Sequence, residues 1–180
     1  MKRTIQLILL LAGLLPLTAL NAQDFPESWT GHWAGTVEIW NQNTLVDSLP
    51  MSLTISPTDS SCDWTLVYDR VYQGQIDQRN YSLITINDST GHYAIDEHND
   101  IILDSYLYGD CFYSSFYGRN TDLMMRICRV GPEELSYEIT SAHSEPVRTS
   151  GAPEELGGEA LTIHSYELFN VMRARLLLQP

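Results

Sequence analysis

From Thr30 onward the chain alternates apolar and polar residues, and turn residues interrupt the alternation about every eight to twelve positions. A period of two is what short antiparallel strands with one buried face require, because successive side chains point to opposite sides of a sheet. Strands are expected over Thr30–Trp40, Val46–Ser56, Asp63–Tyr68, Tyr81–Asn87, His92–Asp96, Ile101–Tyr108, Cys111–Tyr117, Asp122–Val130 and Glu134–Ser141. Ala160–Leu178 leaves two readings open. Its run of Leu, Phe, Met and Ala suits a helix, and the alternation Leu168-Asn170-Met172-Ala174 suits a closing strand. The strand is favoured, because a helix would leave the first strand with an unpaired edge. Asn87–Gly91, Gly109-Asp110 and Gly131-Pro132 are turn signals: they supply positive φ or fix φ for a tight reversal. Residues 145–159, with Pro146, Gly151, Pro153, Gly157 and Gly158, read as a long flexible loop able to cover one mouth of a barrel.

The central segments allow the register to be counted. With Gly109-Asp110 as a two-residue loop, Tyr108 opposes Cys111, Leu107 opposes Phe112 and Leu103 opposes Phe116. With Arg119-Asn120 as the next loop, Phe116 opposes Leu123, Phe112 opposes Ile127 and Cys111 opposes Cys128. Both hairpins then agree on one apolar face, made of Ile101, Leu103, Leu107, Phe112, Phe116, Leu123, Met125 and Ile127. The opposite face carries Asp104, Tyr106, Tyr108, Tyr113, Ser115, Tyr117, Asp122 and Arg126. A slip of one residue would invert both faces, so the agreement fixes the register. Sequential antiparallel strands with one wet face must hide their edges. The expected fold is therefore all-β, an antiparallel up-and-down barrel of about eight to ten strands, with a sandwich as the alternative.

Before the first strand, Lys2 and Arg3 precede an apolar run from Ile5 to Leu20 and the small-residue site Asn21-Ala22. This is the layout of a secretory signal. Residues 1–22 are expected to be removed, leaving 23–180 as one domain that is secreted or periplasmic, with no membrane anchor. Losing Lys2 and Arg3 takes the net charge from −13 to −15. Lys2 is the only lysine, so the remaining chain cannot form a lysine Schiff base. The acidic balance repels phosphate backbones and excludes nucleic acid as a partner. Of three cysteines, Cys111 and Cys128 face each other in the counted register and are expected to be disulfide-bonded, leaving Cys62 as the odd thiol.

Phe25-Pro26-Glu27-Ser28-Trp29-Thr30-Gly31-His32-Trp33 resembles the start of lipocalin-like barrels of the calycin superfamily. In these barrels a short turn leads into a Gly-x-Trp whose indole plugs the barrel floor. Gly35 extends the match to Gly-x-Trp-x-Gly, a form similar to the fatty-acid-binding and nitrobindin-like branches. The resemblance implies a floor built on Trp33, with an arginine of the last strand, Arg173 or Arg175, laid across it. It implies no haem ligand, since no histidine here matches the one used by nitrobindin-like proteins.

Catalytic motifs are absent from the sequence: there is no nucleophile elbow, His-Glu-x-x-His, Cys-x-x-Cys or phosphate-cradling glycine loop. No cofactor and no metal are implied, and Asp96-Glu97-His98-Asn99-Asp100 reads as a hairpin turn rather than a calcium loop. Ser105 and Ser114 face each other on the apolar side and need hydrogen-bond partners, either one another or a ligand. Three functions follow from this reading. The first is a barrel binding a small, mostly apolar ligand through Ser105, Ser114, Phe112, Phe116, Met125 and Tyr137. The second is a protein-interaction or inhibitory domain using the tyrosine face. The third, and least supported, is an isomerase or cyclase in the same pocket. With few arginines, the expected ligand is neutral or weakly acidic.

Overall fold

The computed structural model describes residues 25–59, 61–152 and 161–180. The signal-like segment 1–22 lies outside them, as does the stretch 153–160. Ten strands form a closed antiparallel barrel in which every strand pairs with its neighbours in sequence and β1 closes on β10. They are β1 Gly31–Asn41, β2 Thr44–Pro57, β3 Cys62–Tyr72, β4 Gln75–Asn87, β5 His92–Asp96, β6 Ile102–Tyr108, β7 Cys111–Gly118, β8 Thr121–Gly131, β9 Glu134–Ala152 and β10 Leu161–Leu178. The last segment is thus a strand, and it closes the barrel against β1 from Trp33↔Leu178 to Asn41↔Asn170.

The counted register is the one observed: Tyr108↔Cys111, Leu107↔Phe112, Phe116↔Leu123, Phe112↔Ile127 and Cys111↔Cys128 all pair. One pair is missing. The β6–β7 ladder ends at Ser105↔Ser114, so Leu103 and Phe116 face the same interior without opposing each other. Ile101 falls in the turn before β6 and is exposed. Arg119 and Asn120 both adopt positive φ, as a primed two-residue turn demands.

Ahead of β1, a 3₁₀ turn over Glu27–Trp29 tucks Trp29 beneath the barrel. The Trp33 indole N–H donates to the Trp29 carbonyl at 2.9 Å, and both indoles are 1% exposed. Phe112 is the hub of this floor, with Phe25, Trp29, Trp64 and Tyr93 rings at centroid distances of 4.6, 5.6, 5.5 and 5.3 Å. Gly35 is needed for close approach, because a Cβ there would run into the Arg175 carbonyl.

The arginine expected across Trp33 is elsewhere. Leu176 is buried, and Ala174 and Met172 pack against the core, so the alternate residues Arg173 and Arg175 point outward. Arg173 does meet a tryptophan, but it is Trp40 on the outer wall. Its guanidinium lies 5.1 Å from that ring and donates to Glu38 at 3.0 and 3.1 Å. Arg175 pairs with Glu134 and is exposed.

Two further differences concern length. Residues 145–152, expected in a loop, continue β9 and pair with Leu161–Tyr166 of β10 beyond the barrel body. Register shifts between Ser165 and Asn170 mark where this ribbon leaves the wall, which is how a twisted pair accommodates extra residues. Residues 69–80, which carried no strand expectation, complete the β3–β4 hairpin around Gln73 and Gly74, both at positive φ.

Cys111 and Cys128 are joined as a disulfide on the outer face, with Cα atoms 4.0 Å apart. Cys62 points inward, 2% exposed, and burial pushes its thiol up to about 11, so it is protonated and unreactive at neutral pH.

Candidate functional site in the upper barrel

The interior divides in two at a pair of tyrosines. Tyr68 of β3 and Tyr137 of β9 reach toward each other across the lumen, and their hydroxyls bond at 2.7 Å. Burial holds both phenols above their ordinary pKa, Tyr137 the more strongly, so each is a neutral hydrogen-bonding group. On the floor side the inward side chains are packed: Trp33, Ile55, Trp64, Leu83, Phe112, Leu135 and Leu176 are at most 2% exposed. Toward the opposite end the inward positions of β6 to β10 keep partial exposure. They are Leu103, Phe116, Leu123, Met125, Ile139 and Met172, with Ile39 of β1 beside them. Register makes several of them lateral neighbours: Met125 opposes Ile139, Ile139 opposes Met172 and Met172 opposes Ile39. Apolar side chains that face a closed barrel's lumen and still meet solvent line open space, so the upper barrel is an apolar cup.

Of the ligand-binding residues expected from sequence, Phe116 and Met125 line this cup. Ser105, Ser114, Phe112 and Tyr137 belong to the buried part, at 0, 1, 0 and 2% exposure. The two serine hydroxyls bond each other, which meets most of the cost of burying them. One bond between two hydroxyls leaves one proton spare, and the same holds for the tyrosine pair. The buried Trp64 indole N–H also has no partner among the described residues.

The inner face of β4 carries the charge. Asp77, Arg79, Tyr81 and Leu83 alternate inward along it, opposite Tyr68, Leu66, Trp64 and Cys62 of β3. Asp77 Oδ2 accepts from Arg70 at 2.7 and 2.9 Å, and its Oδ1 accepts from Arg79 Nε at 3.2 Å. Both guanidiniums also lie over the Tyr68 ring, at 5.5 and 5.2 Å. Burial pushes the Asp77 carboxyl up, but the bonds from Arg70 and Arg79 outweigh it and hold the group below the usual carboxylate range. For Arg79, burial pulls downward and is outweighed by Tyr81 and Asp77, so the guanidinium stays charged.

Beside Arg79 the wall is incomplete. β5 ends at Asp96, opposite Ser82, so Gln75–Tyr81 of β4 have no strand partner on that side. The opening is a cleft of about 610 Å³ lined by Gln78, Arg79, Asn80, Tyr81, Glu97, His98 and Asn99. The oxygen-rich turn here spends its side chains on itself: Asp96 accepts the His98 backbone N–H and Asn99 accepts that of Ile101.

Sequence reasoning missed this charged wall, because acid and base at inward positions break the apolar alternation by which strands are recognised. The available signal was Gln73-Gly74, a two-residue turn from which β4 can be counted outward.

On the outer wall, the tyrosines of β6 and β7 form a row in which Tyr106, Tyr108 and Tyr117 are exposed. His92 lies 4.7 Å from Tyr106, Tyr106 is 6.3 Å from Tyr108 and Tyr108 is 6.1 Å from Tyr113, with the first two pairs nearly parallel. Such neighbouring rings add to the stability of the sheet.

No protein-family model matches the chain, and no curated protein matches it in sequence. Among solved structures, the barrel is similar to the S-type phycobiliprotein lyase CPES from Guillardia theta. That likeness covers 86% of this chain and 90% of the lyase, with a TM-score of 0.58 and 8% identity. It is also similar to Rv2717c from M. tuberculosis over 85% of this chain and 94% of that one, with a TM-score of 0.48 and 14% identity. At such identity the lyase likeness shows the fold alone: a closed antiparallel barrel of ten strands, consistent with a lipocalin-like fold.

Proposed function

We propose that this protein is an exported carrier that holds one small, mostly apolar molecule in the upper half of its barrel. The observation that carries the reading is the cup itself. Inward apolar residues on six adjacent strands, β6 to β10 and β1, stay partly exposed above a floor that is fully packed. A barrel built only for stability would fill that volume, since interiors pack to crystal-like density. Apolar walls with a few oriented polar groups are the usual chemistry of a small-molecule site. The Tyr68–Tyr137 pair and the β4 wall supply such groups here. The Cys111–Cys128 bond supports export, because structural disulfides persist in oxidising compartments. The mature N-terminus is then expected at Gln23.

Titration of the purified protein with fatty acids, sterols and porphyrins, followed by tryptophan fluorescence, tests the reading. At least one class is expected to perturb the emission saturably. Met172→Trp, which puts bulk into the cup, is expected to abolish that response while leaving the urea midpoint nearly unchanged. In a filled core the same enlargement would cost about 1–3 kcal/mol. A large stability loss with no ligand response in the parent protein would show a solid core and end the carrier reading.

A further inference from the structure

We propose that the outer face of β6, β7 and β8 is a docking surface for a basic, arginine-rich segment of a partner protein. The surface lies outside the lumen and is independent of the carrier reading. Three observations support it. First, the face is aromatic and open. Tyr106 and Tyr108 of β6, Tyr113 and Tyr117 of β7 and Met124 of β8 all occupy outward positions of paired strands. Tyr108 and Tyr117 are 64 and 60% exposed, and Met124, opposite Ser115, is 54% exposed. Exposed apolar residues scattered singly are ordinary, whereas a contiguous set marks an interaction site, and tyrosine and methionine are enriched in such sites. Second, each exposed tyrosine has a carboxylate beside it. Asp104 precedes Tyr106 on the same side of β6, Asp110 follows Tyr108 in the turn, and Asp122 opposes Tyr117. All three carboxylates are exposed. A ring face and a carboxylate attract the same charge, so together they select a cation.

Third, the protein's own cations do not cancel this acid. From Tyr113 the lateral neighbours run Arg126, Glu138, Arg173 and Glu38 across β8, β9, β10 and β1. Arg126 pairs with Glu138 and Arg173 with Glu38, so this ladder neutralises itself and bounds the face on one side. Arg119, in the β7–β8 turn, is a single guanidinium against Asp104, Asp110 and Asp122. The chain's net charge of −13 adds a long-range attraction for a basic partner and repels an acidic one. Arginine suits the face better than lysine, because its planar guanidinium stacks on an aromatic ring and bonds a neighbouring carboxylate at the same time.

The test is fluorescence anisotropy of a labelled peptide of alternating arginine and glycine, about eight residues long, which when extended spans Tyr108 to Tyr117. The mature protein is expected to bind it saturably. A Tyr108→Ser, Tyr117→Ser variant, with unchanged net charge, should bind about tenfold more weakly, the size of two cation–aromatic contacts. Asp104→Asn with Asp122→Asn should weaken binding to a similar degree. Asp47→Asn with Asp63→Asn removes the same charge from exposed positions of β2 and β3, across the barrel, and should change the affinity less than about twofold. All these side chains are exposed, and circular dichroism with the urea midpoint of each variant controls for folding. Tyrosine variants that bind as tightly as the parent would overturn the proposal. So would an equal loss from the β2–β3 pair, which would mean general attraction to an acidic chain. Absence of binding by the parent protein overturns it as well. None of these results bears on the cup, whose ligand response in tryptophan emission should persist in every variant.

Discussion

Phe112→Ala is expected to lower the unfolding free energy by about 3–5 kcal/mol, the range for emptying a buried aromatic site. Phe112 is 0% exposed and touches Phe25, Trp29, Trp64 and Tyr93. These rings come from the segment before β1 and from β3 and β5, so the substitution loosens the floor at several points together. Edge-to-face pairs add about 0.5–1.5 kcal/mol each beyond the area they bury. The surrounding indoles of Trp29 and Trp64 are large, and the Trp29 backbone is held by the Trp33 indole N–H, which limits collapse into the cavity. Urea unfolding of the variant measures the loss. A change below about 1 kcal/mol would mean that the floor is not the packed element described.

Loss of the Cys111–Cys128 bridge should cost about 3 kcal/mol, measured by urea unfolding of a Cys111→Ala, Cys128→Ala variant. The bond closes a loop of sequence separation 17, and in the chain-entropy view the gain comes from restricting the unfolded state. It lies across the β7–β8 ladder on the outer wall, so removing it leaves the interior packing unchanged. The expected signature is thus a lower unfolding midpoint with native tryptophan emission retained. A variant as stable as the parent would show that the hairpin is already ordered in the unfolded chain.

Much of the barrel was readable because its strands obey a simple rule. On β6, β7 and β8 the apolar face and two tight turns determine each other, and the same counting places Cys111 against Cys128. Reading stopped where chemistry departs from that rule. On β4 the inward row is Asp77, Arg79, Tyr81 and Leu83, so a pattern search sees polar chain where the barrel has its most charged wall. The arginine expectation failed through parity. Met172, Ala174 and Leu176 compete for the same inward face, and three apolar residues outweigh two charged ones. Ser105 and Ser114 were correctly placed opposite each other, but sequence alone does not give the depth at which they sit. That depth depends on the strand tilt and on the tyrosine bridge between β3 and β9. Proline and glycine suggested a loop over residues 145–159, yet β9 carries Pro146 on a ribbon whose outer side has no strand neighbour. There a missing N–H costs nothing.

Native mass spectrometry of the protein recovered from the exported fraction, compared with its denatured mass, tests most directly whether the barrel is a carrier. The denatured mass should be that of residues 23–180 with one disulfide. The native mass should exceed it by one small organic molecule on part of the population, and Met172→Trp should remove the excess. A native mass equal to the bare chain in both proteins, with no uptake when fatty acids, sterols or porphyrins are added, would contradict ligand binding in the upper barrel.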